Sequence, residues 1–560
     1  MQHAVAPVGQ TPTVIARIRL RAATIQPLLA AIVLCGFALR LWWLFTHTYA
    51  IENDGAEYAR IAQNITQGHG YVGLQPGPEL LFPPLYPALI ATLSPIFGIE
   101  HAGRVVSLLL GSALPVPAYL LATRLFGRRT AIAAAAFVAF NPMLIAYSTA
   151  VLSETTYLTL QITAAYLLLR AHDRRDLALA AIAGGCWALA ALVRPEAALI
   201  LGLFSVVAVA IGLVVRAQRP AIKVAVVSLA VCAATLLPYA AWTSHQAGRL
   251  QWSGKATVSS FINQRIGDGM SYTVAISAVD KDGRPTGVLL DPNSYIKGDF
   301  GSAPMFSAGK EIRFERAGLH QLWWNFGRKA ALGAPLLALL AAIGLLGGPW
   351  TRRHNVNLLL LVAYGGANAL VFGSIGWFQF RFLLSLLPVF LLFAARGTVR
   401  VAEVAAARLK FGASKAPAAA ASAALTAAVL VAAGGITLRS LPGGNVQGLG
   451  ARGTTQATAK AVGNWLHDQG RGVAATVMSY SATLAYYSGS VWYPTGYSTS
   501  DDAVVAYLER VHPSSLVLTT TATDTYEARW IRDGLPDAHY RLIKEFHLNG
   551  STTAVYERVS

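Results

Sequence analysis

The chain is poor in charged residues and in cysteine. Only 13% of its 560 residues are charged, whereas soluble globular proteins carry roughly 25%. The three cysteines, Cys35, Cys186 and Cys232, all lie in apolar runs, so we expect neither a disulfide framework nor a cysteine metal site. No glycine-rich nucleotide-binding motif follows a strand-like segment. These shortages argue against a disulfide-stapled secreted domain and against an enzyme with a soluble nucleotide-sugar site.

Long apolar runs account for most of the chain. The composition is 54% hydrophobic and the mean hydropathy is +0.47, which indicates a polytopic membrane protein. A span needs about 20 apolar residues, and about eleven segments qualify or nearly qualify. They lie near residues 24–46, 103–125, 130–148, 151–170, 177–193, 196–215, 222–243, 331–349, 356–374, 379–396 and 418–437. The first run is too long for a signal peptide and lacks a clear cleavage site, so it predicts an uncleaved anchor.

The net charge of +18 could indicate nucleic-acid binding, but its distribution indicates a membrane topology. Lys and Arg cluster in the short gaps at 128–129, 174–175, 216–223, 352–353 and 396–415. The positive-inside rule places these gaps in the cytoplasm. We therefore predict a cytoplasmic N-terminus, external loops at 47–102 and 245–328, an external C-terminal region, and no nucleic-acid partner. The alanine-rich composition and short loops favour a bacterial inner membrane.

The chain divides into a membrane domain, residues 1–440, and a soluble C-terminal domain, residues 441–560. In the second part, strand-like and helix-like segments alternate, which predicts a small α/β domain. Helices are expected at 457–469 and 502–511, and strands at 473–478, 515–520, 539–546 and 552–559. The predicted fold class is thus an α-helical polytopic membrane protein with a small external α/β domain.

The first external loop carries an acidic cluster just past a membrane exit. Glu52, Asp54 and Glu57 lie there, and carboxylates at a membrane surface cost desolvation energy unless they have a function. Asp54 is the best placed to act as a general base. The spacing Asp54 to Glu57 also fits a helix N-cap with its capping-box partner, and both interpretations can hold together. A short helix bearing Tyr58 follows, and an interfacial helix is predicted at 84–97.

Further charged residues are predicted on the external side. Glu154 begins a helix there, where it is either a site residue or a carboxylate favoured by the helix dipole. Arg194 and Arg381 lie where positive-inside statistics disfavour arginine, and guanidinium groups suit phosphate. Arg194 could instead pair with Glu196. Arg104 is a weaker third candidate for phosphate binding.

Tyr58 and Tyr86 could line a groove for the substrate, together with Glu57. Aromatic side chains at this depth are also common as interface anchors, because their rings suit the boundary between lipid and water. The sequence leaves both interpretations open.

The order and spacing of several motifs resemble the GT-C superfamily of polyprenyl-phosphate-sugar glycosyltransferases, in particular the branch of protein mannosyltransferases and aminoarabinose transferases. The motifs run over residues 25–400: Asn53-Asp54-Gly-Ala-Glu-Tyr58-Ala, Pro83-Pro84-Leu-Tyr86-Pro87, the step from Gly98 to Arg104, Leu125-Phe-Gly127-Arg, Ser153-Glu154, Arg194-Pro195-Glu196, and Arg381-Phe with Pro388. One departure is Phe82, where the aminoarabinose transferases have a lysine that helps to hold phosphate.

The resemblance implies a GT-C fold and inverting transfer of a sugar from a polyprenyl phosphate to a hydroxyl of a protein, lipid or glycan acceptor. Asp54 would be the base, Glu154 the second acidic residue near the acceptor, and Arg381 a phosphate ligand. No cofactor is expected to be required; a divalent metal is possible but not indicated. The alternative is a lipid-phosphate binder or flippase without transfer chemistry. A solute transporter is disfavoured, because no inverted repeat is evident.

Overall fold

A computed structural model describes residues 27–46, 50–301, 320, 335–347, 358–359, 361–368, 380–408, 415–440, 454–471, 475–520 and 525–559. The basic segment 1–22 lies outside these ranges. So do parts of the predicted helices at 331–349 and 356–374, and most of the predicted boundary around residue 440.

The described membrane region is helical, and most helix bounds agree with the hydropathy prediction. The helices are α1 (Pro27–Thr46), α2 (Asn53–Thr66), α3 (Leu85–Phe97), α4 (Ile99–Ala113), α5 (Pro115–Phe126), α6 (Arg128–Phe140), α7 (Pro142–Tyr147), α8 (Glu154–Arg174), α9 (Leu177–Ala191), α10 (Glu196–Val214), α11 (Pro220–Ala247), α12 (Gly254–Gly267), α13 (Tyr272–Ser277), α14 (Pro292–Lys297), α15 (Leu336–Leu346), α16 (Leu387–Arg408) and α17 (Lys415–Ser440). Residues 361–368 are also helical.

Within the described residues, four helical stretches are long and apolar enough by themselves to cross a membrane. They are Pro27–Thr46, Ile99–Phe126, Glu196–Val214 and Arg216–Ala247. The prediction of about eleven spans therefore remains a prediction, whereas a membrane location agrees with these stretches.

The helix predicted at 130–148 is broken, and this prediction was wrong. α6 ends at Phe140, and α7 begins at Pro142 after Asn141, whose side chain accepts a hydrogen bond from Leu144 N. Pro142 has no N–H to donate to the preceding turn. The buried Arg40 of α1 satisfies a carbonyl at this break, because its Nη1 donates to Ala139 O at 2.7 Å. Its Nε also donates to the hydroxyl oxygen of Ser148 at 3.1 Å. Arg40 was not singled out from the sequence.

The helix predicted at 379–396 also differs from the structure. A 3-10 turn covers Phe380–Ser385, and α16 starts only at Leu387 and continues to Arg408. Pro388 explains the start, because proline is tolerated in the first turn of a helix but not in its interior. Arg381 is thus presented on a 3-10 turn and not on the long helix.

The C-terminal region forms a mixed five-stranded sheet with helices, as the sequence predicts. Its elements are α18 (Thr454–Asp468), β1 (Thr476–Ser479), α19 (Ala482–Ser488), β2 (Val491–Pro494), α20 (Asp501–Val511), β3 (Ser515–Thr519), α21 (Tyr526–Asp533), β4 (Tyr540–Leu548) and β5 (Ser551–Arg558). The strand order is β2-β1-β3-β5-β4. β1 pairs in parallel with β2 and β3, and β5 pairs antiparallel with β3 and β4. The elements α19, β2 and α21 were not predicted, because they are short.

The sheet packs directly on the two loops that are predicted to be external. Val279 and Leu290 of the second loop belong to the same apolar core as Leu516 and Trp530. Backbone bonds continue the contact: Tyr497 N donates to Ser277 O at 2.7 Å, and Trp492 N donates to Leu74 O at 2.8 Å. The C-terminal sheet and the external loops therefore share one core.

Candidate active site

The candidate site lies where four chain segments converge near the predicted external boundary. Asp54 lies in the first turn of α2, and Glu154 is the first residue of α8. Arg194 lies in the turn between α9 and α10, and Arg381 lies on the 3-10 turn before α16. Each charge therefore stands at a helix end, where it can face a polar space without burying a charge within a span.

The site residues form an alternating chain of charges. Arg381 Nη1 lies 2.5 Å from Asp54 Oδ2 and 4.0 Å from Glu154 Oε1. Arg194 Nη1 lies 3.2 Å from Glu154 Oε1, and its Nη2 lies 3.7 Å from Glu196 Oε1. The sequence analysis named the first four of these residues as candidates, and the structure brings them together.

The two catalytic candidates differ in exposure. The side chain of Asp54 is 31% exposed, whereas that of Glu154 is 4% exposed and lies between two guanidinium groups. Asp54 can therefore reach a substrate, while Glu154 fixes the positions of Arg194 and Arg381. The geometry assigns Glu154 a positioning role rather than direct contact with an acceptor.

Lys255 is a further cation at the site, and sequence reasoning missed it. It lies in the first turn of α12, whose N-cap Ser253 accepts a hydrogen bond from Ala256 N. Its charge acts on Asp54 and on Glu196. Burial, followed by the neighbouring charge of Arg194, lowers the pKa of Lys255. Gly254 lets the start of α12 pack closely on the chain at Leu80, because a Cβ at residue 254 would collide with the carbonyl oxygen of Leu80. The only signal in the sequence was a Ser-Gly-Lys helix start in an external loop.

Comparison with known proteins agrees with this architecture. Residues 82–242 match the family model of dolichyl-phosphate-mannose-protein mannosyltransferases. The oligosaccharyltransferase AglB of Archaeoglobus fulgidus, in complex with an inhibitory peptide and a dolichol-phosphate, has a TM-score of 0.61 at 16% identity. That match covers 92% of this chain and 79% of AglB. No curated protein matches the chain.

A second solved structure is similar over almost its whole length. ArnT from Cupriavidus metallidurans, bound to undecaprenyl phosphate, has a TM-score of 0.55 at 12% identity, covering 94% of this chain and 97% of ArnT. The chain therefore shares its overall fold with these two solved structures. The fold that the sequence motifs predicted is confirmed.

The capping-box interpretation of the acidic cluster is wrong. α2 begins at Asn53, its N-cap is Glu52, and no side chain caps it. Asp54 binds Arg381 instead of a backbone N–H. Glu57 is buried and its Oε1 accepts from Leu74 N at 2.7 Å, so it holds the loop that follows α2. Glu57 is therefore placed as a loop anchor and not in the substrate groove.

Glu57 shares its site with a second buried carboxyl. Glu79 Oε1 accepts from Leu81 N at 2.6 Å and from Phe82 N at 2.9 Å. Burial, followed by the charge of Glu79, raises the pKa of Glu57 well above its ordinary value. Burial also raises the pKa of Glu79. The two adjacent carboxyls therefore resist being ionised together.

Tyr58 and Tyr86 are packed behind the charged cluster. Both are buried, and their rings contact edge to face with centroids 5.0 Å apart. Tyr58 Oη lies 3.0 Å from Ser153 Oγ, and Tyr86 Oη lies 2.8 Å from Ser107 Oγ. Tyr58 joins α2 to the start of α8, and Tyr86 joins α3 to α4. The expectation that they line an open groove was wrong, because each phenol is used inside the protein.

Arg104 belongs to a different cluster. Its Nη2 lies 2.5 Å from Glu100 Oε1, one turn earlier on α4. The other oxygen of Glu100 accepts from Tyr487 Oη at 3.0 Å and lies 3.7 Å from Lys460 Nζ. Arg104 thus helps to join α4 to the C-terminal domain, and the structure does not bring it to Arg381 and Arg194.

The electrostatics of the site separate Asp54 from Glu52. Burial alone would raise the pKa of Asp54, but the charges of Arg381 and Lys255 outweigh it and the pKa falls below its ordinary value. Burial and the charge of Asp54 raise the pKa of Glu52 to about 8. Near pH 7, Asp54 is therefore an ionised base and Glu52 is neutral.

The C-terminal domain contacts the residue that precedes the candidate base. Asn53 Oδ1 lies within hydrogen-bonding distance of Ser481 Oγ, at 3.2 Å, and of Thr483 N, at 3.4 Å. Arg60, further along α2, donates to Ala485 O at 3.2 Å. The position of Asp54 therefore depends on the docked C-terminal domain.

Proposed function

We propose that this protein is an inverting glycosyltransferase that moves a sugar from a polyprenyl-phosphate donor to a hydroxyl acceptor at the outer face of a bacterial inner membrane. The observation that carries the proposal is the Asp54–Arg381–Glu154–Arg194 cluster at helix ends. It combines an accessible ionised carboxylate with two guanidinium groups in one polar space. Dolichol-phosphate bound to AglB and undecaprenyl phosphate bound to ArnT support the same donor class.

The cations would hold the donor phosphate. Guanidinium groups bind phosphate oxygens through parallel charge-assisted bonds. Arg381 and Lys255 flank Asp54, and Arg194 lies behind Glu154. Lys255 offers the ammonium group that other members of the branch supply at the position of Phe82. The buried Arg194 Nε and Glu154 Oε2 have no hydrogen-bond partner among the described residues, which suits a space built for a further polar molecule.

Asp54 would activate the acceptor. The acceptor oxygen attacks the anomeric carbon opposite the phosphate while Asp54 takes the hydroxyl proton. The bond between the anomeric carbon and the phosphate oxygen breaks, and its electron pair stays on the phosphate. Positive charges that are already in place beside that oxygen stabilise the transition state without reorganisation of solvent. The reaction would need no cofactor, and we propose that the arginines and Lys255 supply the charge that a metal provides elsewhere.

Donor turnover tests this proposal. Purified protein in nanodiscs is incubated with a panel of polyprenyl-phosphate sugars and mixed acceptors, with and without EDTA, and free polyprenyl phosphate is measured. We expect acceptor-dependent release from at least one donor, unchanged by EDTA. Tight binding of every donor without any release would instead favour a lipid-phosphate binder or flippase. Loss of turnover in EDTA would contradict the metal-independent mechanism.

A further inference from the structure

A cavity of about 200 Å³ lies in the C-terminal domain, outside the charged cluster. It opens where β1 and β3 end, between the sheet and α18. Of its fourteen lining residues, ten carry hydroxyl or amide groups and four are apolar. None is charged, so the cavity offers many neutral hydrogen-bonding groups on a partly apolar floor.

The position of the cavity in the fold is that of a ligand site. β1 and β3 are adjacent parallel strands, and both carboxyl ends open into the cavity through Ser479 and Thr519. The chain leaves β1 for β2 on one side and returns to β3 on the other. In open α/β sheets, ligands bind in the crevice at the carboxyl ends of such strands.

The lining selects for a neutral polyol. A phosphate or nucleotide would need arginine, lysine or a metal, and the lining has no cationic side chain. A lipid chain is disfavoured, because only four of the fourteen lining residues are apolar. Sugar hydroxyls both donate and accept, as do the serine and threonine side chains around them. The volume is below the roughly 300–1,000 Å³ of drug-sized sites, which suits a single ring.

Tyr480 adds an aromatic surface at the mouth. It lines the cavity, and 67% of the residue is exposed. One face of a sugar ring presents C–H groups that can pack on an aromatic ring, while the edge hydroxyls remain free for hydrogen bonds. An exposed tyrosine beside a hydroxyl-lined cavity offers both kinds of contact.

The mouth of the cavity adjoins the candidate base. Ser481, which also lines the cavity, lies 3.2 Å from Asn53 Oδ1, next to Asp54 in the chain. Tyr272 lies near both places: burial, the charge of Asp54 and a weaker contribution from Tyr480 raise the pKa of Tyr272 to about 12, while the charge of Arg381 opposes this rise. A chain of sugars held in the cavity could therefore extend to Asp54.

We propose that this cavity binds a neutral monosaccharide unit of a glycan acceptor and so directs a hydroxyl of that glycan toward Asp54. The proposal rests on the proposed function for the second half of the statement, whereas sugar binding by the cavity stands without it. The acceptor class is then a glycan and not a protein or a simple lipid.

A paired substitution on α18 tests the site. Thr455 and Ala457 are both exposed on this helix, but only Thr455 lines the cavity. Purified full-length protein is mixed with methyl glycosides of common neutral hexoses and pentoses, and binding is followed by saturation-transfer NMR. We expect at least one glycoside to bind wild type and Ala457→Trp, and Thr455→Trp to weaken that binding at least tenfold.

A second variant guards against misfolding. Thr519→Val keeps the shape of the side chain but removes a hydroxyl that lies 3.1 Å from Thr553 Oγ1 in the cavity wall. We expect weaker glycoside binding and a raised KM for glycan acceptors, with unchanged binding of polyprenyl phosphate. The Tm of each variant shows whether the fold is intact.

The outcomes separate this inference from the proposed function. Glycoside binding that is sensitive to Thr455→Trp, in a protein without donor turnover, would support the sugar site and contradict the transferase. The sugar site would be overturned if donor turnover is normal but neither variant changes glycoside binding or the KM for the acceptor. The transferase proposal would then still stand. Absence of binding by any neutral glycoside would also overturn the site.

Discussion

Arg381 and Asp54 compensate each other's charge, and either charge would be costly if it were left unpaired at the membrane boundary. Their side chains are 19% and 31% exposed, and they are joined by a 2.5 Å contact between residues 327 positions apart. Removing one partner of such a pair leaves the other uncompensated, which costs more than the pair itself contributes. The same residues are therefore sensitive positions for both folding and chemistry.

Substitution of Arg381 should affect donor binding most strongly. Arg381→Gln removes a charge-assisted contact of about 1.5–3 kcal/mol, which corresponds to a loss of roughly 10–100-fold in affinity. Binding of a polyprenyl phosphate, measured by microscale thermophoresis, should weaken by this factor, and Arg381→Lys should recover part of it. The control is Arg284→Gln, which removes an exposed external charge. Equal affinities for Arg381→Gln and the control would exclude Arg381 as a phosphate ligand.

The pH profile should show two carboxyls with opposite shifts. The pKa of Asp54 lies below its ordinary 3.8, so the base stays ionised and its contribution to stability is lost only as pH falls through that lowered value. The pKa of Glu52 is raised to about 8. Its contribution to stability is fully present below the ordinary value of 4.5 and is lost progressively as pH rises from there through about 8.

Activity should accordingly fall above pH 8, because ionised Glu52 adds a negative charge beside Asp54 and opposes the anionic donor. Glu52→Gln keeps the neutral shape and should move this alkaline limb to higher pH. The measurement is kcat/KM between pH 5 and 9.5 for both proteins. An identical alkaline limb in wild type and Glu52→Gln would show that another group titrates there.

At the scale of elements, close packing at Gly55 fixes the position of α2 against the start of α8. A Cβ on Gly55 would lie 2.6 Å from the carbonyl oxygen of Val151, so no side chain fits. Gly55→Ala should destabilise the protein by about 1–3 kcal/mol through overpacking and displace Asp54 next to it. Gly185, also in a helix, has no atom within 4 Å of its Cβ position.

Gly185→Ala is the matched control and should be neutral or stabilising by up to about 1 kcal/mol. Tm in detergent and donor turnover are measured for both variants. Equal Tm values and equal turnover would show that the approach of α2 to α8 does not set the geometry of the site.

How far the sequence predicts each element depends on what determines it. Hydropathy alone predicts α1, α9 and α10 closely, because length and apolarity suffice for a span. The break between α6 and α7 was missed, since its carbonyls are satisfied by Arg40, about 100 residues away. The capping-box prediction failed for the same kind of reason, because Asp54 pairs with Arg381, which is distant in the sequence. Lys255 could not be found at all, because its place depends on how the second loop folds back.

The whole molecule works as one unit, with the C-terminal sheet packed on the external loops. Val279 and Leu290 lie in the core of the sheet domain, and Asn53 is held by Ser481 and Thr483. The predicted boundary near residue 440 thus divides the chain, but residues on both sides of it position the site. We therefore expect the C-terminal domain to be needed for activity even though no residue of the charged cluster lies in it.

The proposed orientation places the sheet and both loops outside the cell. In a background without Cys35, Cys186 and Cys232, Lys281→Cys should react with a membrane-impermeant maleimide in intact cells. Arg174→Cys should react only after the membrane is opened, because residue 174 ends α8 on the predicted cytoplasmic side. Labelling with the opposite pattern would invert the orientation.

The most direct test of the central claim is the rate of sugar transfer by Asp54→Asn. With a donor that wild type turns over, the account predicts a fall in kcat of roughly 10²–10⁴-fold, typical for loss of a general base, with polyprenyl-phosphate binding and Tm retained. Asp282→Asn, at an exposed external carboxylate, should keep the wild-type rate. A kcat for Asp54→Asn within a few-fold of wild type would contradict the assignment of Asp54 as the base.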